Sequence, residues 1–152
     1  MKSITAQLQK IITDYPAKLK LISQEEFVHK PHANKWSKIE ILGHLVDSAQ
    51  NNIRRFIVAQ YETSPYIIYE QDKWVAISDY QHAYAQELID LWSLLNKQVC
   101  RILDNTTSEA AIRTCETSNR IPHTITWLAG DYVKHLLHHL HQVLQLEPVD
   151  YP

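Results

Sequence analysis

Glycine is nearly absent from this chain, which has only Gly43 and Gly130 in 152 residues. Hairpin turns need backbone at positive φ, which glycine adopts without strain and most other residues do not. A fold of many short strands needs such a turn at most reversals. The scarcity therefore restricts the chain to a few long segments, and the long segment that satisfies its own backbone is the helix. Hydrophobic residues at 45% and charged residues at 21% are the proportions of an ordinary globular protein. The length suffices for one core, so residues 1–152 are expected to form a single domain.

Apolar residues recur with the helical period in four places. Ile4, Leu8, Ile11 and Ile12 begin the first, and Leu19, Leu21 and Ile22 resume it after Pro16. Proline removes an interior hydrogen bond, which predicts a helix kinked near Tyr15 or split there. The second opens on W-S-K-I-E, where Ser37 can cap and Glu40 can complete a capping box. Ile41, Leu42, Leu45, Val46, Ala49, Ile53, Phe56 and Ile57 then form its apolar face. Ser78 or Asp79 can cap the third, which carries Tyr84, Leu88, Leu91, Trp92, Leu95, Val99, Ile102 and Leu103 and should end about Asp104. Thr124 or Thr126 starts the fourth, which runs through Trp127, Leu128, the histidine cluster, Val143 and Leu144 before Pro148. Residues 23–35 read as a loop, residues 61–78 as a long aromatic-rich connection and residues 108–121 as a mixed polar segment. No strand pattern is evident, and the expected fold is an all-α four-helix bundle.

Charge excludes some partners. A net charge of −2 with dispersed Lys and Arg gives no electrostatic footprint for nucleic acid. The amphipathic start M-K-S-I-T-A-Q-L-Q-K has no apolar signal region, and no run reaches the roughly 18 apolar residues that cross a bilayer, so no membrane association and a cytoplasmic location are expected. Cys100 and Cys115 lack C-x-x-C spacing and are expected as free thiols.

The chemistry concentrates in D-Y-V-K-H-L-L-H-H-L-H-Q-V at residues 131–143. A spacing of four stacks His135 and His139 on one helical face, at the edge of the apolar side formed by Tyr132, Leu136, Leu140 and Val143. His138 and His141 fall further round with Lys134, toward water. Neutral imidazole is a common metal ligand, but two leave a site incomplete. On the second helix His44 lies at the margin of the apolar face near Ser48, Asn52 and Arg55, and bundles build metal sites from facing helices. His44, His135 and His139 are thus a candidate three-histidine set, which leaves coordination positions open. Asp131, one turn before His135, can orient that ring, and Asp47 can do the same for His44. Histidines also sit at core edges with one nitrogen solvated, so the spacing alone leaves a purely structural explanation open. His29, His32, His82 and His123 have less to support a ligand role.

Three stretches occur in order: W-S-K-I-E-I-L-G-H-L-V-D-S-A-Q-N-N-I-R-R-F at residues 36–56, Y-E-Q-D-K-W-V at 69–75 and W-L-A-G-D-Y-V-K-H-L-L-H-H-L at 127–140. Through them the chain resembles the DinB-like superfamily, which includes the YfiT-type metal-dependent hydrolases. The resemblance implies an up-down-down-up four-helix bundle and a divalent metal held at His44, His135 and His139. The superfamily is similar in architecture to transferases dependent on bacillithiol, mycothiol or glutathione, and its members often dimerise, so a thiol cofactor and a homodimer are inherited expectations. Three imidazoles suit zinc, nickel and iron, with zinc or nickel the leading candidates.

A metal-dependent hydrolase or low-molecular-weight-thiol S-transferase acting on a small electrophile is therefore the expected function. Arg55, or Arg113 or Arg120, can hold a substrate carboxylate, and Asp72 and Trp74 can line the pocket mouth with Ser48 and Asn52. Two other classes remain open. One is a non-catalytic bundle whose metal fastens the second helix to the fourth, and the other is a module that binds a partner through its aromatic loop.

Overall fold

Four long helices realise the four periodic stretches: α1 (Lys2–Leu19), α3 (Lys38–Val58), α5 (Ala85–Asn105) and α7 (Ile125–Leu144). Between them lie the shorter α2 (Gln24–Val28), α4 (Gln71–Ile77) and α6 (Ser108–Ala111), a two-stranded ribbon β1 (Thr114–Glu116) and β2 (Pro122–Thr124), and one 3-10 turn. This computed structural model describes residues 1–118 and 120–151. Helices α1 and α3 each pack against both α5 and α7, giving the up-down-down-up bundle. Its centre is filled by fully buried Leu8, Phe27, Phe56, Trp92 and Tyr132. Among the described residues no helix is long and apolar enough to cross a membrane.

The site depends first on α3. Its start is the capping box expected from W-S-K-I-E: the Ser37 N–H donates to Glu40 Oε2 at 2.8 Å, and the Glu40 N–H to Ser37 Oγ at 3.4 Å. The two bonds satisfy donors that a helix start otherwise leaves open and hold the first turn. Gly43 then allows a close approach. A Cβ there would lie 2.1 Å from the Tyr80 ring, so only glycine lets that ring press onto α3 and donate its hydroxyl to Asp47 Oδ1 at 2.6 Å.

Several expectations are corrected. Helix α1 is not split at Pro16; it runs through it to Leu19. The proline sits in the last turn, and buried Leu8, Ile11 and Leu19 hold the segment on the core despite the lost hydrogen bond. The segment read as a loop contains α2, whose Ser23 cap accepts from the Glu26 N–H at 3.1 Å and whose Phe27 is fully buried. The aromatic connection contains α4, anchored by buried Val75. Neither Ser78 nor Asp79 caps α5. Asp79 adopts a left-handed φ of 52°, the chain makes the 3-10 turn at Tyr80–His82, and α5 begins after Tyr84, because burying Tyr80 against α3 forces a turn first.

The polar segment before α7 also forms a short antiparallel ribbon. Thr114 pairs with Thr124, Cys115 with His123 and Glu116 with Pro122, and Tyr66 bridges to Glu116. Three-residue strands are too short to show alternation in a sequence. Thr124 caps α7 through the Trp127 N–H at 3.1 Å. The helix ends before Pro148, where Gln145 turns left-handed at a φ of 54°. Cys100 and Cys115 are free and buried.

Candidate metal centre

The two turns of α7 bearing His135 and His139 lie across from His44 on α3. One ring nitrogen from each of the three histidines lies within 4.8 Å of the other two. The His44 and His135 Nε2 atoms are 3.1 Å apart, and His44 is almost completely buried. Two imidazoles on one tetrahedral zinc, at bonds of about 2.0–2.1 Å, place their nitrogens roughly 3.3 Å apart, so the observed spacing suits a shared cation.

Electrostatics keep these rings neutral. Burial, reinforced by His139, pushes His44 down to about 4. Burial and the neighbouring histidines push His135 down to about 2. His139 is lowered too, chiefly by burial, although its bond to Gln142 works the other way. Unprotonated imidazoles offer lone pairs, which is the state a metal requires.

Neighbouring atoms set the tautomers. Gln142 donates its amide N–H to His138 Nε2 at 2.9 Å, so its oxygen is the acceptor for His139 Nδ1–H at 2.8 Å. His139 Nε2 is then the atom with the free lone pair. Ser48 Oγ lies 3.5 Å from His135 Nδ1, and the Trp36 ring is 5.2 Å from that of His44. His44 Nδ1 and Asp47 Oδ2 are buried without hydrogen-bond partners among the described residues. The donor set of three neutral imidazoles, two with their second nitrogen engaged, fits a divalent metal ion.

Neither carboxylate expected to orient a histidine has that contact. Asp47 turns to the Tyr80 hydroxyl, and burial pushes its pKa up to about 6 against the pull of that bond. Asp131 accepts from the Tyr151 hydroxyl at 3.2 Å, while Ser48 occupies the position beside His135. Burial raises Asp131 as well, with the Tyr151 bond opposing. His138 and His141 are half-buried rather than left to solvent. His138 Nδ1 donates to the Val149 carbonyl at 3.0 Å and His141 Nδ1 to that of Glu147 at 2.7 Å, and the Tyr15 hydroxyl meets His141 Nε2 at 3.0 Å.

Beside His135 opens a cavity of about 520 Å³. Ser48, Asn52 and Arg55 line one wall in a stripe along α3, and Asp131 and Trp127 line another. Asp72 and Trp74 are not among its lining residues. Trp74 instead supports Tyr69, whose ring faces the cavity, at 5.4 Å between centroids. Arg113 donates to the Ala59 and Glu62 carbonyls at 2.7 and 2.9 Å, and Arg120 stacks 3.9 Å above the Tyr66 ring, so both are tied to local structure. Sequence reasoning missed Gln142, Tyr69 and Tyr151. Gln142 follows His139 by one helical turn and was legible as a neighbour. Nothing in the sequence placed Tyr69 or Tyr151 at the cavity.

A helical bundle with three inward histidines on its second and last long helices defines the class. The chain belongs to the DinB superfamily, whose family model matches residues 7–143. Among solved structures it is similar to YfiT from Bacillus subtilis, described as a probable metal-dependent hydrolase with an unusual four-helix bundle topology. That likeness has a TM-score of 0.82 at 22% identity over 95% of this chain and 86% of that one. It is also similar to a mycothiol-dependent maleylpyruvate isomerase, with a TM-score of 0.78 at 14% identity over 93% of this chain and 60% of the isomerase. A DinB-like protein from Bacillus subtilis, YjoA, matches with a TM-score of 0.63 at 15% identity over 98% of this chain and 96% of its own. At these identities the likeness shows the fold. No curated protein matches the chain significantly.

Proposed function

We propose that the protein is a divalent-metal-dependent enzyme, a hydrolase or a low-molecular-weight-thiol S-transferase acting on a small electrophile. The observation that carries the reading is that three neutral imidazoles converge at a point where one of them, His135, forms part of the wall of a substrate-sized cavity. A divalent ion held by His44, His135 and His139 would supply Lewis acidity, which brings a water or a thiol toward ionisation near neutral pH. The chain's own residues prepare that chemistry. Gln142 fixes the His139 tautomer and Ser48 lies against the far side of His135. Asp131, raised by burial, is the cavity's carboxylate and can take up a proton released there. Trp127, Tyr132 and Tyr69 wall the space with aromatic faces. The descriptions of YfiT and of the mycothiol-dependent isomerase support hydrolysis and thiol chemistry as two uses of one site.

One observation favours a second reading, in which the metal only fastens α3 to α7: His44 is 1% exposed. Metal analysis with calorimetric uptake, followed by a panel of thiols and electrophiles, separates the two. The enzyme reading expects one bound ion per chain, and turnover that is lost in His139→Ala while the fold survives. Loss of melting temperature with no activity in the parent supports the fastener, and absence of metal uptake overturns both.

A further inference from the structure

Arg55 stands at the far end of the polar stripe that runs from His44 through Ser48 and Asn52 along one face of α3. Its guanidinium is half-buried and faces no carboxylate within ion-pair distance among the described residues. A guanidinium has five N–H donors. Nε and Nη2 each give one to the Ile67 carbonyl, at 3.2 and 3.1 Å, and Nη1 gives one to Asn52 Oδ1 at 3.4 Å. Two donors remain. The Ile67 carbonyl holds the Nε side, so the second Nη2 donor lies on the edge shared with Nη1, where the 3.4 Å contact to Asn52 is the longest of the three and the easiest to exchange for a ligand oxygen. Asp131 is the one carboxylate among the lining residues, and it is engaged by Tyr151.

We infer that Arg55 anchors the carboxylate of a ligand whose reacting end lies beside His135. This deepens the proposed function by naming a substrate class, and it rests on that reading for the role of the reacting end. Two features argue for a carboxylate over a phosphate. Two donors on one planar edge match two carboxylate oxygens. Arg55 is also the sole Lys or Arg among the lining residues and already feels the Asp131 carboxylate in the same cavity, so the lining has no second positive charge for a doubly charged phosphate. The stripe sets the separation as well. Ser48, which touches His135, and Arg55 are seven residues apart, about 10 Å along the helix axis. The carboxylate is therefore several bonds from the reacting atom, with an apolar or aromatic body between the ring of Tyr69 and the stacked pair of His123 and Trp127, whose centroids are 3.7 Å apart.

Calorimetry on the unmodified, chelator-treated protein tests the anchor without any dependence on metal. Phenylbutyrate should bind at least about ten-fold more tightly than phenylbutyramide, the loss expected when a charge-assisted bond is removed. Arg55→Gln should erase the preference for the acid and Arg55→Lys should keep part of it, with melting curves confirming that both remain folded. A second arm uses zinc-loaded protein and compares mercaptohexanoate with mercaptohexanol. A preference confined to the mercapto acid assigns the carboxylate to a thiol cofactor, and a preference shown by phenylbutyrate assigns it to the electrophile; either upholds the anchor. Equal binding of acid and neutral analogue in both arms overturns it, as does a preference for the acid that survives in folded Arg55→Gln. Failure to load zinc with the acid preference intact in metal-free protein would instead count against the metal reading alone.

Discussion

His135 and His139 share two turns of α7 with His138 and His141, yet the two pairs have opposite surroundings. The outward pair has every ring nitrogen engaged, by Gln142, by Tyr15 and by the carbonyls of Val149 and Glu147. These bonds tie residues 147–149 to the helix. The inward pair turns toward His44 instead: His135 Nε2 meets His44 Nε2 at 3.1 Å, and one ring nitrogen of each of the three histidines converges on a common point. Residue type is identical in the two pairs. What distinguishes a candidate ligand from a structural clasp is whether its nitrogens face one another or are spent on carbonyls, an amide and a hydroxyl.

The largest expected effect breaks this comparison if it fails. His44→Ala, His135→Ala and His139→Ala should each weaken zinc uptake by more than about 100-fold, beyond the 10–100-fold typical of outer partners. His138→Ala and His141→Ala should leave uptake unchanged within a few-fold. Titration against a chelator of known affinity measures both sets, and a loss as large from His141→Ala would dissolve the distinction.

Gln142 touches both pairs, so it sharpens the boundary between them. Gln142→Ala removes the acceptor that fixes the His139 tautomer, and metal affinity should fall about 10–100-fold in the same titration. Restoring the acceptor with Gln142→Glu should recover most of it.

Acid should act next, through the inward group. Folded His44 and His135 resist protonation until about 4 and about 2, whereas an ordinary histidine takes a proton near 6.5. Below that value the unfolded chain binds more protons than the folded one, so stability falls as pH drops from 6.5 toward 4. Asp47 runs the other way. Raised from 3.8 to about 6, it contributes stability that is full below 3.8 and lost as pH rises through about 6, which offsets part of the effect. Urea midpoints of metal-free protein should be lower at pH 5 than at pH 7, and His44→Asn should flatten that slope.

The smallest effect belongs to the outward pair. His141→Ala breaks the contacts to Tyr15 and Glu147 and should lower stability by about 1 kcal/mol, as measured by urea unfolding at pH 7.

Much of the architecture was legible in the sequence. The faces of α3, α5 and α7 repeat over several turns, and repetition is what makes a period readable. Ser37 with Glu40, and Thr124, announced two helix starts through local chemistry. The short elements were not legible, because α2, α4 and β1 each hang on a single buried residue, Phe27, Val75 and Cys115, while β2 buries none, and a single anchor has no period. Helical projection turned His44, His135 and His139 toward the interior, and the structure brings them together. It assigned them Asp47 and Asp131 as supports, whereas the fold placed Ser48 and Gln142 there.

By itself the sequence determined the class of fold and which histidines face inward, since both follow from spacing along one helix at a time. Tertiary structure alone decided which nitrogens face one another, that Arg55 forms no ion pair among the described residues, and that Tyr69 and Tyr151 reach the cavity. Those outcomes depend on side chains meeting from distant segments, His44 with His135 across 91 residues and Tyr15 with His141 across 126. A helix repeats its geometry every turn, but a contact between helices is set by how all of them pack at once.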